Sequence, residues 1–190
     1  MKKIELVLRE LLYLAFEEKT RKTTQAHLAS RLQVSLSTVN LAISHLRKMN
    51  AVNIAKRGLT IVNPKKILYY WASIRTLDKD VLVKTRVEGD VADIEKSMPS
   101  NVVFGAYSAY KLKFHDQPAD YSEVYVYASN PEDVLQRFSP KQGPPNLIVL
   151  RKECPTMTLA HLFVDLWNLR EWYAKEFLNS LEEKLDGLLA

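Results

Sequence analysis

Through the first 75 positions, apolar residues recur mostly at helical spacing. Ile4, Leu8, Leu11, Leu12 and Ala15 share one helix side at steps of three and four, and the charged stretch from Lys19 to Lys22 ends the pattern. Thr24 stands where a cap for a second helix is expected. That helix, Gln25 to Leu32, carries Ala26, Leu28, Ala29 and Leu32 for close packing. Gln33-Val34 forms a tight connection, and Ser35 caps a third helix whose Val39, Ala42, Ile43 and Leu46 make an inward stripe.

Removing that stripe leaves Leu36, Ser37, Thr38, Asn40, Leu41 and Ser44 facing outward, with Arg47 and Lys48 at the helix end. Two strands are expected next, Val52 to Ala55 and Leu59 to Val62. Lys56-Arg57-Gly58 joins them, and Gly58 supplies the positive φ of a tight hairpin. Asn63-Pro64 stops the second strand, a helix follows from Lys65 to Arg75, and a linker is expected over Thr76 to Asp80.

The second half has a different rhythm. Strands are expected over 81–87, 102–104, 123–128 and 147–150. Helices are expected over 91–98, 107–113, 131–138, 159–168 and 170–185. Strands separated by helices imply a layered α/β or α+β arrangement with a small mixed sheet.

Charge sharpens the division. Residues 1–75 hold 14 Lys plus Arg against 4 Asp plus Glu, a net of +10, whereas residues 76–190 hold 13 against 18, a net of −5. The overall +5 therefore joins a basic module suited to polyanions to an acidic one. No stretch approaches the roughly 20 apolar residues of a membrane span, and the start of the chain lacks a secretory apolar core, so a cytoplasmic protein is expected. The single cysteine, Cys154, has no partner for a disulfide or a metal site and is read as an unreactive thiol. His27 and His45 lie on separate helices, without metal-ligand spacing, and no metal or other cofactor is expected.

Three helices followed by a hairpin with basic residues at its bend resemble the winged helix-turn-helix transcription regulators, over roughly residues 3–75. The resemblance implies that the third helix enters the major groove of double-stranded DNA and that the hairpin is the wing, where Lys56 and Arg57 match the backbone-contacting positions. The expected DNA-binding residues are thus Leu36, Ser37, Thr38, Asn40, Leu41, Ser44, Arg47, Lys48, Lys56 and Arg57. The start of the helix has no Arg or Lys for guanine. Asn40 suits adenine, and Leu36 or Leu41 suits a thymine methyl, which gives a modest leaning to A·T.

Residues 104–128, FGAYSAYKLKFHDQPADYSEVYVYA, are similar in layout to the nucleotidyltransferase-like fold. TLAHLFVDLWNLREWYAKEF, residues 158–177, resembles the C-terminal part of AbiEi-type antitoxins of type IV toxin–antitoxin systems, which join a winged helix to such a domain. The implied architecture is α+β: a winged helix over 1–76 and a nucleotidyltransferase-like domain with a small mixed sheet over 77–190. An active nucleotidyltransferase needs a Gly-Ser turn and two carboxylates about two residues apart to hold magnesium. Here Gly105 precedes Ala106, and Asp120 and Glu123 stand three apart with Ser122 between them; Asp165 is on a helix.

No catalytic residue is therefore assigned. His115-Asp116 reads as a solvated turn. Tyr107, Tyr110, Tyr121, Tyr125 and Tyr127, with Trp167, Trp172 and Tyr173, are candidates for a ligand pocket or for core and interface. Two functions remain. One is a DNA-binding regulator whose second half senses a ligand, dimerises or binds a protein such as a toxin. The other is a nucleotidyltransferase whose winged helix holds a nucleic-acid substrate.

Overall fold

The computed structural model describes residues 1–56 and 58–189, so the expectation for Arg57 lies outside the described residues. The protein is α+β, with helices and two β-sheets among the described residues. Its contacts divide the chain into two units. The first is Met1–Arg75 together with Thr158–Val164 and the residues from Leu185 onward; the second is Thr76–Met157 with Asp165–Lys184.

In the first unit, α1 (Lys3–Phe16) packs against α2 (Gln25–Leu32), α3 (Leu36–Lys48) and α4 (Pro64–Ile74). Leu8, Leu11 and Leu12 of α1, Leu28 of α2 and Ile67 and Trp71 of α4 are buried with the stripe of α3. Each helix start has a local cause. Thr24 accepts from the His27 N–H at 3.0 Å, and Asn63 accepts from the Lys66 N–H at 3.0 Å, just ahead of Pro64 at the first helical position. Glu5 does more. One oxygen accepts from the Lys2 N–H at 3.1 Å, and the other takes Trp71 Nε1 at 3.2 Å and an Arg75 guanidinium nitrogen at 3.3 Å. A buried carboxylate is tolerable only when so fully engaged, and this one ties both ends of the four-helix segment together.

The first sheet has three strands. β2 (Val52–Ala55) and β3 (Gly58–Ile61) form the hairpin, and β1 (Lys22–Thr23) pairs antiparallel with the other edge of β3, giving the order β1-β3-β2. Read from sequence, β1 was only a charged break. It forms because Gly58, at φ +139°, brings the hairpin backbone close to Thr23: a Cβ there would stand 2.7 Å from the Thr23 carbonyl oxygen.

The second unit is built on a mixed sheet of order β5-β6-β8-β4-β7, comprising β4 (Val81–Val87), β5 (Val103–Phe104), β6 (Val124–Ala128), β7 (Pro140–Lys141) and β8 (Leu147–Arg151). β6 runs parallel to β8, while β5 against β6, β4 against β8 and β7 against β4 are antiparallel. One face carries Val124, Val126, Ala128, Leu147 and Val149, packed with Ile94 of α5 (Val91–Lys96) and Val134 of α7 (Glu132–Leu135). The other face carries Tyr125 and Tyr127 toward side chains of α6 (Ala106–Phe114), α8 (Leu159–Trp167) and the segment leading into α9 (Ala174–Leu189). β6 is buried along its whole length because both faces are covered.

Three expectations shift. The helix expected over 131–138 is α7 alone: past Gln136 the bonds tighten to i→i+3 pairs, Arg137 N–H to the Val134 carbonyl and Phe138 N–H to the Leu135 carbonyl, each at 3.1 Å, and Pro140 begins the edge strand β7, where a missing N–H is harmless. The last helix starts at Ala174 rather than 170, since Glu171 and Tyr173 are held in a side-chain network described below. The expected linker is a 3-10 turn, Leu77–Asp80, with Leu77 buried.

Two glycines test these accounts with opposite signs. Gly58→Ala meets both a positive φ and a backbone oxygen and is expected to cost about 2 kcal/mol or more. Gly187→Ala, in α9 with nothing within 4 Å, is expected to gain up to about 1 kcal/mol. Urea unfolding of the two variants beside the parent chain measures both.

Candidate functional site

α3 is rotated by its buried side. Val39, Ala42, Ile43 and Leu46 are each fully buried, which turns the remaining arc of the helix outward. Leu36, Ser37, Asn40, Leu41, Ser44, Arg47 and Lys48 are exposed, and Thr38 is half-buried. The entry to the helix is fixed on both sides. Gln33, in left-handed conformation at φ 53°, ends α2, and its side-chain amide donates to the Ser30 carbonyl at 2.7 Å. Two residues later Ser35 accepts from the Thr38 N–H at 3.2 Å, and its hydroxyl also meets those of Ser37 at 2.8 Å and Thr38 at 2.9 Å.

The outward face of α3 and the hairpin border one concave surface, made of two adjoining hollows. Asn40, Ser44, Arg47 and Lys48 line the first with Ile43. Leu36, Ala55, Lys56, Gly58 and Leu59 line the second with Thr24 and Ala26. Gln25 and Ile54 line both. Six of the ten expected residues are thereby brought to one surface, Leu36, Asn40, Ser44, Arg47, Lys48 and Lys56. Ser37 and Thr38 are drawn instead into the Ser35 cap, and Leu41 is exposed on the same helix outside both hollows.

Cations in this unit fall into two groups. Arg31 is bound to Glu10 at 2.8 Å and Glu18 at 3.1 Å, Arg75 to Glu5, and Lys65 to Asp186 at 2.5 Å. Burial raises the pKa of Glu10, and the facing Arg31 and Arg9 oppose that rise. Arg47, Lys48 and Lys56 have no anionic partner among the described residues, and neither do Arg21 and Lys22 beside Thr24. Sequence reasoning overlooked four of these surface residues. Arg21 and Lys22 were taken as a helix stop, Gln25 only as the start of the second helix, and Ile54 only as part of the first hairpin strand.

The second unit holds a network of phenols and carboxylates. Glu171 accepts from Tyr107 at 3.1 Å and Tyr125 at 3.0 Å, and Asp165 accepts from Tyr127 at 2.7 Å. Glu123 accepts from Tyr173, and Glu95 accepts from Tyr121 at 2.5 Å and pairs with Lys111 at 2.9 Å. A Cβ at Gly105 would lie 3.0 Å from the ring of Tyr127, so a larger residue there has to displace a phenol held by Asp165. Asp120 is exposed and holds Gln117 at 3.0 Å, away from β6. The β6 side chains two residues apart on this face are therefore Tyr125 and Tyr127, not carboxylates. Beside Tyr125 and Glu171 lies a cavity of about 140 Å³ walled by Leu77, Val81, Lys84 and Arg170, with room for a small molecule only.

His115 and Asp116 are exposed, as a solvated turn requires. Among the described residues no cluster of three or more His, Cys, Asp or Glu is placed to hold a metal ion, and no helix is long and apolar enough to cross a membrane. No protein-family model matches the chain, and searches of curated proteins and of solved structures give no significant match.

Burial, reinforced by neighbouring carboxylates, pushes Tyr107, Tyr121 and Tyr125 well above the ordinary phenol range and Tyr173 up to about 12. In an alkaline absorbance titration, these four tyrosines are expected to lose their protons only above the ordinary phenol range. Glu171→Gln removes a charge that opposes phenolate formation and should move part of the delayed signal back toward the normal range.

Proposed function

We propose that this chain is a DNA-binding transcriptional regulator of the winged helix-turn-helix kind. In this reading α2, the turn at Gln33–Ser35 and α3 are the helix-turn-helix, α3 enters the major groove, and the β2–β3 hairpin is the wing. The observation that carries it is the pair of adjoining hollows bordered by α3 and the hairpin, edged by Arg47, Lys48 and Lys56, which have no anionic partner among the described residues. Cations left free on a surface of this shape gain most by displacing the counterions of a duplex backbone. Unit one carries the charge for it, since the whole of the +10 segment belongs to it.

For the second unit we propose a nucleotidyltransferase-like domain without catalysis, antitoxin-like in its pairing with a winged helix, that senses a ligand, dimerises or holds a protein partner. The succession β5, Gly105, α6, β6 supports the layout, and the tyrosines at 125 and 127 support the lack of catalysis, because phenols bonded to Asp165 and Glu171 cannot serve as magnesium ligands. Trp172, three-quarters exposed, supports a surface that meets a partner.

Fluorescence anisotropy with a labelled duplex tests the DNA reading. Binding should weaken steeply as salt rises. The triple variant Arg47→Gln, Lys48→Gln, Lys56→Gln should lose about a hundredfold at about 0.1 M salt and flatten the salt slope by about one per lost phosphate contact. Duplex affinity indifferent to both salt and the triple change would sink the proposal. In the same preparation, magnesium-dependent transfer from a labelled nucleotide that disappears in Asp120→Ala would instead establish the enzyme reading.

A further inference from the structure

Part of the hydrogen-bonding capacity of the outward face of α3 is already engaged. The hydroxyls of Ser37 and Thr38 each share a hydrogen bond with that of Ser35, and Ser44 donates to the Leu41 carbonyl at 2.8 Å. Among the described residues the Asn40 amide has no internal partner, and from Leu36 to Leu46 the helix carries no Arg or Lys that could clasp a guanine. Around the helix, exposed leucines stand to either side of Asn40, while Ser44, Arg47 and Lys48 share its hollow. Leu36 and Leu41 are 49% and 50% exposed, and Ile54, across the hollow on the hairpin, is 40% exposed.

One exposed leucine is ordinary. Two exposed leucines flanking an amide on one helix, with Ile54 across the hollow and cations that have no anionic partner among the described residues at its edge, form a different pattern. At 3.6 residues per turn Asn40 lies about 40° from Leu36 and about 100° from Leu41 around the helix, so the amide stands between the two leucines. The cations select a polyanion, and the leucines select what they touch on it. Along the major-groove edge of the four base pairs, the C5 methyl of thymine is the apolar group.

We infer that this surface reads A·T-rich duplex DNA through thymine methyl groups, with Leu36 and Leu41 as the methyl contacts and Asn40 paired to adenine N6 and N7. The inference rests on the DNA-binding reading and deepens it: recognition comes from methyl burial more than from hydrogen bonds. Ile54 bounds the hairpin side of the same surface.

Deoxyuridine in place of thymidine removes the methyl and leaves base pairing and phosphates intact. Burial of one such group is worth about fourfold in affinity. Full-length protein is therefore measured against an A·T-rich duplex, its fully uracil-substituted counterpart and a G·C-rich duplex of equal length. The parent chain should lose about tenfold on the uracil duplex. The double variant Leu36→Ala, Leu41→Ala alters exposed positions only, so its circular dichroism should match the parent, and it should bind the thymine and uracil duplexes equally. Asn40→Ala should reduce the preference for A·T over G·C. Equal, salt-dependent binding of the thymine and uracil duplexes by the parent chain overturns methyl reading and leaves DNA binding standing. Absence of binding to all three duplexes overturns both.

Discussion

The rotation of α3 governs everything assigned to its surface. Four side chains, Val39, Ala42, Ile43 and Leu46, are buried without residue, and a helix so anchored has no freedom to turn about its axis. The outward set is then the complement of the inward one. The core needs apolar groups at four places, and that demand decides that Asn40 and Ser44 point away from it, with Leu36 and Leu41 to either side. Glu5 reinforces the frame of the same unit by joining the start of α1 to Trp71 and Arg75 at the end of α4.

The second unit follows a different logic. Its central strand is covered on both faces, but the two coverings are chemically unlike. Aliphatic side chains meet on one face, and on the other phenols reach buried or half-buried carboxylates. Each such carboxylate keeps hydrogen-bond donors in place of water, which is what makes its position tolerable.

Much of the first unit is legible in sequence because its information is local. Period and caps mark α1, α2 and α3, and Gly58 marks the hairpin bend. β1 escapes notice because two residues, one basic and one polar, carry no alternation, and their pairing with β3 joins positions nearly forty apart. Ile54 escapes for a related reason. Strand alternation puts it on the same side as Val52, yet Val52 reaches the core and Ile54 extends past its edge. The loss of the Ser37, Thr38 and Ser44 hydroxyls to internal bonds depends on rotamers, which residue type does not specify. In the second unit the alternation Val-Tyr-Val-Tyr locates β6, but the acceptors for those phenols lie 38 and 46 residues downstream.

Thr158–Val164 belongs to the first unit although it follows nearly the whole of the second in sequence, and Leu162, Phe163 and Val164 are entirely enclosed there. A gene fragment stopped at the end of α4 would therefore encode a basic half missing part of its own interior. Such a truncation would expose the faces those side chains normally fill, and its insolubility or failure to bind would say nothing about the intact chain. A minimal version of this module has to be a rejoined sequence rather than a shortened one.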